Sequence, residues 1–312
     1  MKTQPLKATK TVPAATDQQQ LNGVAYAFFA FLIWGLSPIY WKALDHVTAF
    51  EIILHRIVWS FVFLIPLALV GRQWAGFKAA VKSPKTLSVL LFTSVLVCTN
   101  WLLYIWAVNN GRVLQASLGY YINPLVNVVL GMVFLGERLR RLQVVAVLLA
   151  MLGVLNLTFR YGVFPWVSLA LAFSFGFYGL VRKVADVGAL VGLTVETMLL
   201  TIPAAIWMLN LYRAGSGTFT NAGVLTDLLL VGTGILTATP LLLFNLGAKR
   251  ITLTTLGLVQ YTAPSGMLML GITLFNEPFT ATQAITFGLI WTALGVYTWD
   301  MLRTHRNGRA GV

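Results

Sequence analysis

Ala116-Ser117-Leu118-Gly119-Tyr120-Tyr121-Ile122-Asn123-Pro124 returns, 140 positions further on, as Leu256-Gly257-Leu258-Val259-Gln260-Tyr261-Thr262-Ala263-Pro264. The same ungapped register pairs Gly131 with Gly271, Glu137 with Glu277 and Gln143 with Gln283. Nearer the start, at a spacing of 141, Gly35 answers Gly176 and Lys42 answers Lys183. Identity is weak, yet turn, proline and acidic positions coincide across whole halves. The fold is thereby narrowed to two copies of one plan. In a membrane chain, that duplication is the pattern of a transporter.

The copies are membrane segments. The chain is 58% apolar and 10% charged, and a helix needs roughly 20 apolar residues to cross about 30 Å of hydrocarbon. Such runs fall at about 22–41, 50–70, 86–108, 113–135, 142–159, 163–180, 190–209, 226–247, 252–275 and 282–302. The predicted layout is a tail at 1–21, a first five-helix repeat at 22–160, a second at 161–302 and a tail at 303–312. Five is odd, so the second copy must insert upside down. That inversion places a substrate site near the midplane.

A net charge of +13 would point to nucleic acid in a soluble protein, but its distribution reads as topology. With the N terminus cytoplasmic, one side holds Lys2, Lys7, Lys10, Arg72, Lys78, Lys82, Lys85, Arg138, Arg140 and Arg141. Arg182, Lys183, Lys249, Arg250, Arg303, Arg306 and Arg309 join them. The other side holds only Lys42, Arg112, Arg160 and Arg213, and Arg56 lies within a span. Such a bias follows the positive-inside rule. The expectation is an all-α integral membrane protein of ten transmembrane helices, in two inverted repeats, with both termini cytoplasmic. The segment 21–41 is too long for a cleaved signal peptide, and the tail lacks transit-peptide character. The bacterial inner membrane is the expected location.

Span 4 carries a polar stripe of Ser117, Tyr120, Tyr121, Asn123, Pro124, Asn127 and Gly131, on one broad face because residues three and four apart are helical neighbours. Span 9 repeats it with Gly257, Gln260, Tyr261, Pro264 and Gly271. Polar stripes against lipid are expensive, so they should face each other or an aqueous cavity. Glycine and serine also serve close helix approach, but that does not account for tyrosines and amides. Prolines 38, 66, 124, 203, 240 and 264 lie inside spans. Each removes a backbone donor, which is tolerated where neighbours or water satisfy the freed groups. The repeat makes Pro124 and Pro264 a mirrored pair of expected breaks.

Span 2 contains Glu51, His55 and Arg56, and span 7 contains Glu196. A central charge costs about 2.5–3.5 kcal/mol on insertion scales, so partners or a pathway are expected. One reading pairs Arg56 with Glu51 or Glu196 to hold the bundle together. The other gives Glu196 a coupling proton, with His55 as a second titrating candidate and Arg56 or His55 on an anionic substrate group. A substrate with a flat apolar part and a carboxylate would suit the tyrosines plus Arg56. Trp34, Ser37, Asn100, Trp101, Tyr104, Ser174 and Tyr178 are candidates for the same cavity, and Trp41 for the interfacial belt. Glu137 and Glu277 read as acids favoured at helix N-termini.

The sequence holds a single cysteine, Cys98, and three histidines, His46, His55 and His305. There is no phosphate-binding loop, metal-ligand spacing or nucleophile–base constellation. No cofactor, metal or enzymatic role is expected; the expected partners are a small-molecule substrate and the bilayer. The rival readings are a lipid carrier, which needs a groove open sideways, and a non-transporting membrane protein with a structural ion pair.

Longer motifs sharpen this. Ile33-Trp34-Gly35-Leu36-Ser37-Pro38, Leu54-His55-Arg56-Ile57-Val58-Trp59-Ser60, Asn100-Trp101-Leu102-Leu103-Tyr104 and Phe134-Leu135-Gly136-Glu137-Arg138 strongly resemble the RarD group of the EamA-type drug/metabolite transporters. Ala172-Phe173-Ser174-Phe175-Gly176-Phe177-Tyr178 and Glu196-Thr197-Met198 extend the resemblance, which runs from about Gly23 to Asp300. It implies ten helices in two inverted halves, a central cavity and alternating access, with export favoured over import because relatives in the wider family export amino acids. Thr262-Ala263 stands where the resemblance leads one to expect Ile-Gly.

Overall fold

The computed structural model describes residues 17–110, 112–161, 164–274 and 279–309. The tail lysines Lys2, Lys7 and Lys10, and the pair Glu277 and Pro278, lie outside the described residues. Among the described residues all regular structure is helical, in the order α1 (Asp17–Leu36), α2 (Pro38–Lys42), α3 (Ala49–Val70), α4 (Trp74–Lys82), α5 (Pro84–Asn109), α6 (Val113–Leu135), α7 (Arg141–Tyr161), α8 (Trp166–Val184), α9 (Ala189–Arg213), α10 (Val224–Ala248), α11 (Leu253–Gln260), α12 (Thr262–Thr273) and α13 (Ala281–Arg309). Nine of the described helical segments are long and apolar enough to cross a membrane.

The apolar segment expected as one span at 252–275 is two shorter helices, and the reason is local. Pro264 has no N–H for the Gln260 carbonyl, and its ring crowds that carbonyl. The chain tightens upstream, where Tyr261 N bonds Leu258 O at 3.2 Å. The expected mirror image does not occur: α6 runs unbroken through Pro124. There the Tyr261 hydroxyl donates to the Tyr121 carbonyl at 3.2 Å, so the partner helix supports the turn that the proline loosens.

Other boundaries follow from capping. Thr48 starts α3 by accepting from Glu51 N at 3.3 Å, as an N-cap threonine does. Gly136 ends α6 at φ +64°, the left-handed turn that glycine takes without a Cβ penalty. Between α1 and α2, Ser37 Oγ donates to Trp34 O at 2.8 Å, and Pro38 opens the new helix.

The long helices pack as α6 on α8, α7 on α13, α3 on α9 and α10, α5 on α8 and α9, and α1 on α10, α11 and α12. α6 also lies against α11, one of the two placements expected for the polar stripes. The bundle centre is aromatic: Phe31, Trp34, Phe175, Tyr178 and Phe244 contact one another, with Phe175 and Phe244 centroids 5.1 Å apart. α3 and α10 cross so closely at Gly234 that a Cβ there would enter the backbone of Trp59.

The two ends differ. At one, the start of α1 meets the end of α10, with the Arg250 guanidinium 5.2 Å from the Tyr26 ring. Glu137, just past α6, caps the start of α11: Oε1 accepts from Leu253 N at 2.7 Å, and Oε2 from Thr254 N at 3.0 Å and Thr254 Oγ1 at 2.8 Å. The helix-terminus reading of Glu137 therefore holds, but for a helix 116 positions away rather than for α7. Lys183 donates to the carbonyls of Ala248 and Ile251, and Lys249 to that of Ala185. These ties bind the basic turns to one another. The opposite end carries the α2–α3 junction and the 214–223 loop, which Glu51 holds through Thr218 N at 2.6 Å and Thr218 Oγ1 at 2.7 Å.

Candidate functional site

A cavity of about 910 Å³ lies at the centre of the bundle, walled by α1, α2, α3, α5, α6, α8, α10, α11 and α12. Its lining starts at Lys42 and Asp45, whose side chains are 69% and 62% exposed. It descends to Asn123 and Gln260, both buried. The mouth is therefore at the α2–α3 end, and the polar ties described above close the other.

Nine residues of the expected binding set share this cavity: Trp34, Ser37, Arg56, Asn100, Tyr104, Tyr120, Asn123, Gln260 and Pro264. Trp41, expected in the interfacial belt, and Trp101 line it too. Hydrogen bonds fix several of them. Asn100 Nδ2 donates to Leu171 O and Ser174 Oγ, both at 2.9 Å. Trp41 Nε1 donates to Ser37 Oγ at 3.0 Å, and Asn123 Nδ2 to Ala172 O at 2.5 Å. Tyr104 and Tyr120 meet edge-on with centroids 6.0 Å apart. Ala263 is on the wall as well, on the part of α12 that packs on Gly35.

The remaining expected residues sit elsewhere. His55 is buried beside the 214–223 loop; its Nδ1 accepts from Trp59 Nε1 at 3.0 Å, and its ring lies 5.0 Å from that of Phe219. Tyr121 turns to α13, 5.7 Å from the Phe287 ring. Asn127 lies one turn past Asn123 and donates to Gln260 Oε1 at 3.0 Å. The Pro124 backbone abuts Gly257, and Tyr261 is fully buried between α11 and α12. Tyr178 and Glu196 belong to a separate buried cluster.

That cluster corrects the expected ion pairs. Arg56 pairs with neither Glu51 nor Glu196. Its Nε donates to Thr237 Oγ1 at 2.9 Å, and its guanidinium lies 5.0 Å from the Trp41 ring and 5.1 Å from the Trp101 ring. Glu196 instead faces Arg182 Nε at 3.4 Å, with both side chains at most 2% exposed. Thr93 Oγ1 and Tyr178 OH donate to the carboxylate at 2.5 and 3.2 Å. Asn245 links Tyr178 to Arg182. Charges this deep persist only when paired and hydrogen-bonded.

Sequence reading counted Arg182 with the loop charges because it sits at a span end. The turn 185–188 brings the start of α9 to the Arg182 side chain, and Gly192 supplies the space, since a Cβ there would overlap the guanidinium. A glycine one helix on from a terminal arginine was the available signal. Among the described residues no group of three or more His, Cys, Asp or Glu side chains is placed to hold a metal ion.

Known proteins resemble the chain over nearly its whole length. Residues 21–159 match the EamA-like transporter family. The protein RarD of Escherichia coli K12 is 45% identical across 93% of this chain and 98% of its own. An uncharacterized transporter of Vibrio cholerae is 46% identical across 94% and 97%. In fold, a crystal structure at 21% identity superposes with a TM-score of 0.70 over 90% of this chain and 98% of that one.

Proposed function

The chain belongs to the RarD group of the EamA-like transporter family, and from that membership we propose a secondary permease that moves a small metabolite or drug-like compound through the central cavity. The observation that carries the reading is the cavity's asymmetry. It is open among polar and aromatic side chains at the α2–α3 end and closed at the other end by Glu137, Lys183 and Lys249 bonded across helix ends. A chamber with one open and one tied end is what one state of an alternating-access carrier presents.

Ten crossings in two inverted halves suit the packing. α5 lies on α8 as α10 lies on α1, and α6 on α8 as α11 and α12 on α1. Corresponding helices also meet in pairs, α3 with α9, α6 with α11 and α7 with α13. With α11 and α12 taken as one broken crossing, each half has five, and the basic end faces the cytoplasm of a bacterial inner membrane. The mouth then faces outward. Export is favoured over import by analogy with the wider family.

Glu196 is the proposed coupling residue, acting through Arg182 rather than on the substrate. Its protonation would remove the charge that holds the Arg182 guanidinium and slacken the α5–α8–α9 packing.

The test is untargeted mass spectrometry of cells and medium. A deletion strain carrying wild type is compared with one carrying an equally abundant Arg56→Ala/Glu196→Gln variant. The expected result is a compound depleted inside and enriched outside only with wild type. The reverse shift would make the protein an importer, and identical profiles would overturn transport.

A further inference from the structure

We propose that the cavity takes a flat, apolar monocarboxylate without an ammonium group, held by its carboxylate on Arg56. The proposal rests on the reading of this cavity as the substrate path and names the class of occupant.

It begins with a charge count. Among the described residues three charged side chains line the cavity: Lys42, Asp45 and Arg56. Lys42 and Asp45 pair with each other at 3.5 Å, out at the mouth. Arg56 remains. Among the described residues it makes no ion pair, and the hydrogen bond that anchors it uses Nε alone, to neutral Thr237. The candidate counter-charges are committed elsewhere: Glu51 to Thr218, Glu196 to Arg182 and Glu137 to the start of α11. A guanidinium at membrane depth without a counter-charge is costly. An anionic occupant removes that cost, and one negative charge is enough.

The setting of Arg56 says which anion. Trp41 and Trp101 lie 5.0 and 5.1 Å from the guanidinium carbon, and Thr237 fixes Nε. The two terminal nitrogens are left for a ligand, and their fork matches two carboxylate oxygens. Beyond them the wall is aromatic, with Trp34, Tyr104, Tyr120 and Phe175, which suits a ring or another flat apolar body. At about 910 Å³ the space lies within the usual range for drug-sized ligands.

The same setting argues against an amino acid. An ammonium needs a carboxylate or free aromatic faces. Among the described residues the one lining carboxylate, Asp45, is at the mouth with Lys42. The aromatic faces beside the guanidinium, Trp41 and Trp101, already serve Arg56, so an α-ammonium next to a carboxylate held there meets neither.

A charge series on one ring tests this. Indole-3-acetate, indole-3-acetamide, tryptophan and tryptamine are titrated into the purified full-length protein at neutral pH and fixed ionic strength, with binding read by calorimetry. The acetate is expected to bind at least about tenfold more tightly than the other three, a discrimination well within what a site built around a polar ligand group achieves. Arg56→Gln should erase the preference for acetate over acetamide, and Arg56→Lys should keep part of it. The wild-type series stands alone if the glutamine variant fails to fold.

Equal binding of acetate and acetamide overturns the proposal. So does a preference for tryptophan or tryptamine, no binding by any of the four, or an unchanged preference in Arg56→Gln. Counterflow of labelled indole-3-acetate in proteoliposomes separates the two readings. Binding without movement sinks transport and leaves the anion site standing; movement of the cation or zwitterion in preference does the reverse.

Discussion

Glu196 and Arg182 lie 3.4 Å apart with almost no contact with water, so each depends on the other. Removing one partner of such a pair costs about 3–5 kcal/mol, because the survivor is left as an uncompensated buried charge. Arg182→Met should therefore lower the melting temperature sharply, and Arg182→Met/Glu196→Gln should recover much of the loss. Equal melting of single and double variants would show that the pair is not coupled. Glu196→Gln should leave ligand binding in the cavity unchanged, since the residue does not line it, while flattening the pH dependence of transport; an unaltered pH profile would end its coupling role. Lys249, just past the end of α10, adds a further pH effect. Burial, followed by the nearby Arg182 guanidinium, pushes its pKa down to about 8 from 10.5, while Asp186 opposes the shift. The folded protein then holds this proton less tightly than the unfolded chain. Stability from this group should rise from pH 8 towards 10.5 and be lost as pH falls back through 8. The effect is modest because the lysine is only half-buried, and Lys249→Met should lack that rise in melting temperature. At this scale the sequence exposed the need for partners but not their identity. Arg56 and Glu196 were recognisable as costly, whereas the choice of Arg182 depended on a turn that no spacing rule specifies.

Helices were more legible than their breaks. The polar stripes on 117–131 and 257–271 were expected to face each other or an aqueous cavity, and the Asn127–Gln260 bond at 3.0 Å joins them. The stripe proved narrower than its composition: Tyr120 points into the cavity while adjacent Tyr121 packs on α13, because 100° of rotation separates neighbours. Two prolines at equivalent positions gave one break; at Pro124 the Tyr261 hydroxyl bonds the Tyr121 carbonyl in the turn before the proline. The start of α11 relies on Glu137. Glu137→Ala would strip the acceptors from Leu253 and Thr254 N–H, and losing a cap costs about 0.5–2 kcal/mol. Thermal melts should show that loss, and Glu137→Gln, which keeps one carbonyl acceptor, should show less. The α3–α10 crossing is stricter. Gly234→Ala places a methyl into the Trp59 backbone, and overpacking of that kind costs about 1–3 kcal/mol. A variant melting with wild type would mean that the crossing can open freely.

For the whole molecule, the charge pattern and the closed end coincide. Arg182, Lys183, Lys249 and Arg250, grouped on one side by the positive-inside argument, meet where the cavity is shut. Hydropathy and charge could reveal that end because both act along the chain; which end was open depended on tertiary contacts between residues 64 to 116 positions apart. If the protein works by alternating access, the closed end must part during each cycle. The Tyr26–Arg250 contact, 5.2 Å from ring to guanidinium, joins α1 to the end of α10 there. In a Cys98→Ser background, Tyr26→Cys/Arg250→Cys bridged by a short reducible thiol cross-linker should retain ligand binding at the mouth, because the open end is untouched. Transport should fall to background and return on reduction. A cysteine replacing Ser117, which lines the cavity, should meanwhile react with an impermeant reagent added from outside. Transport that survives the cross-link would mean that this end need not part, and alternating access through this closure would be overturned.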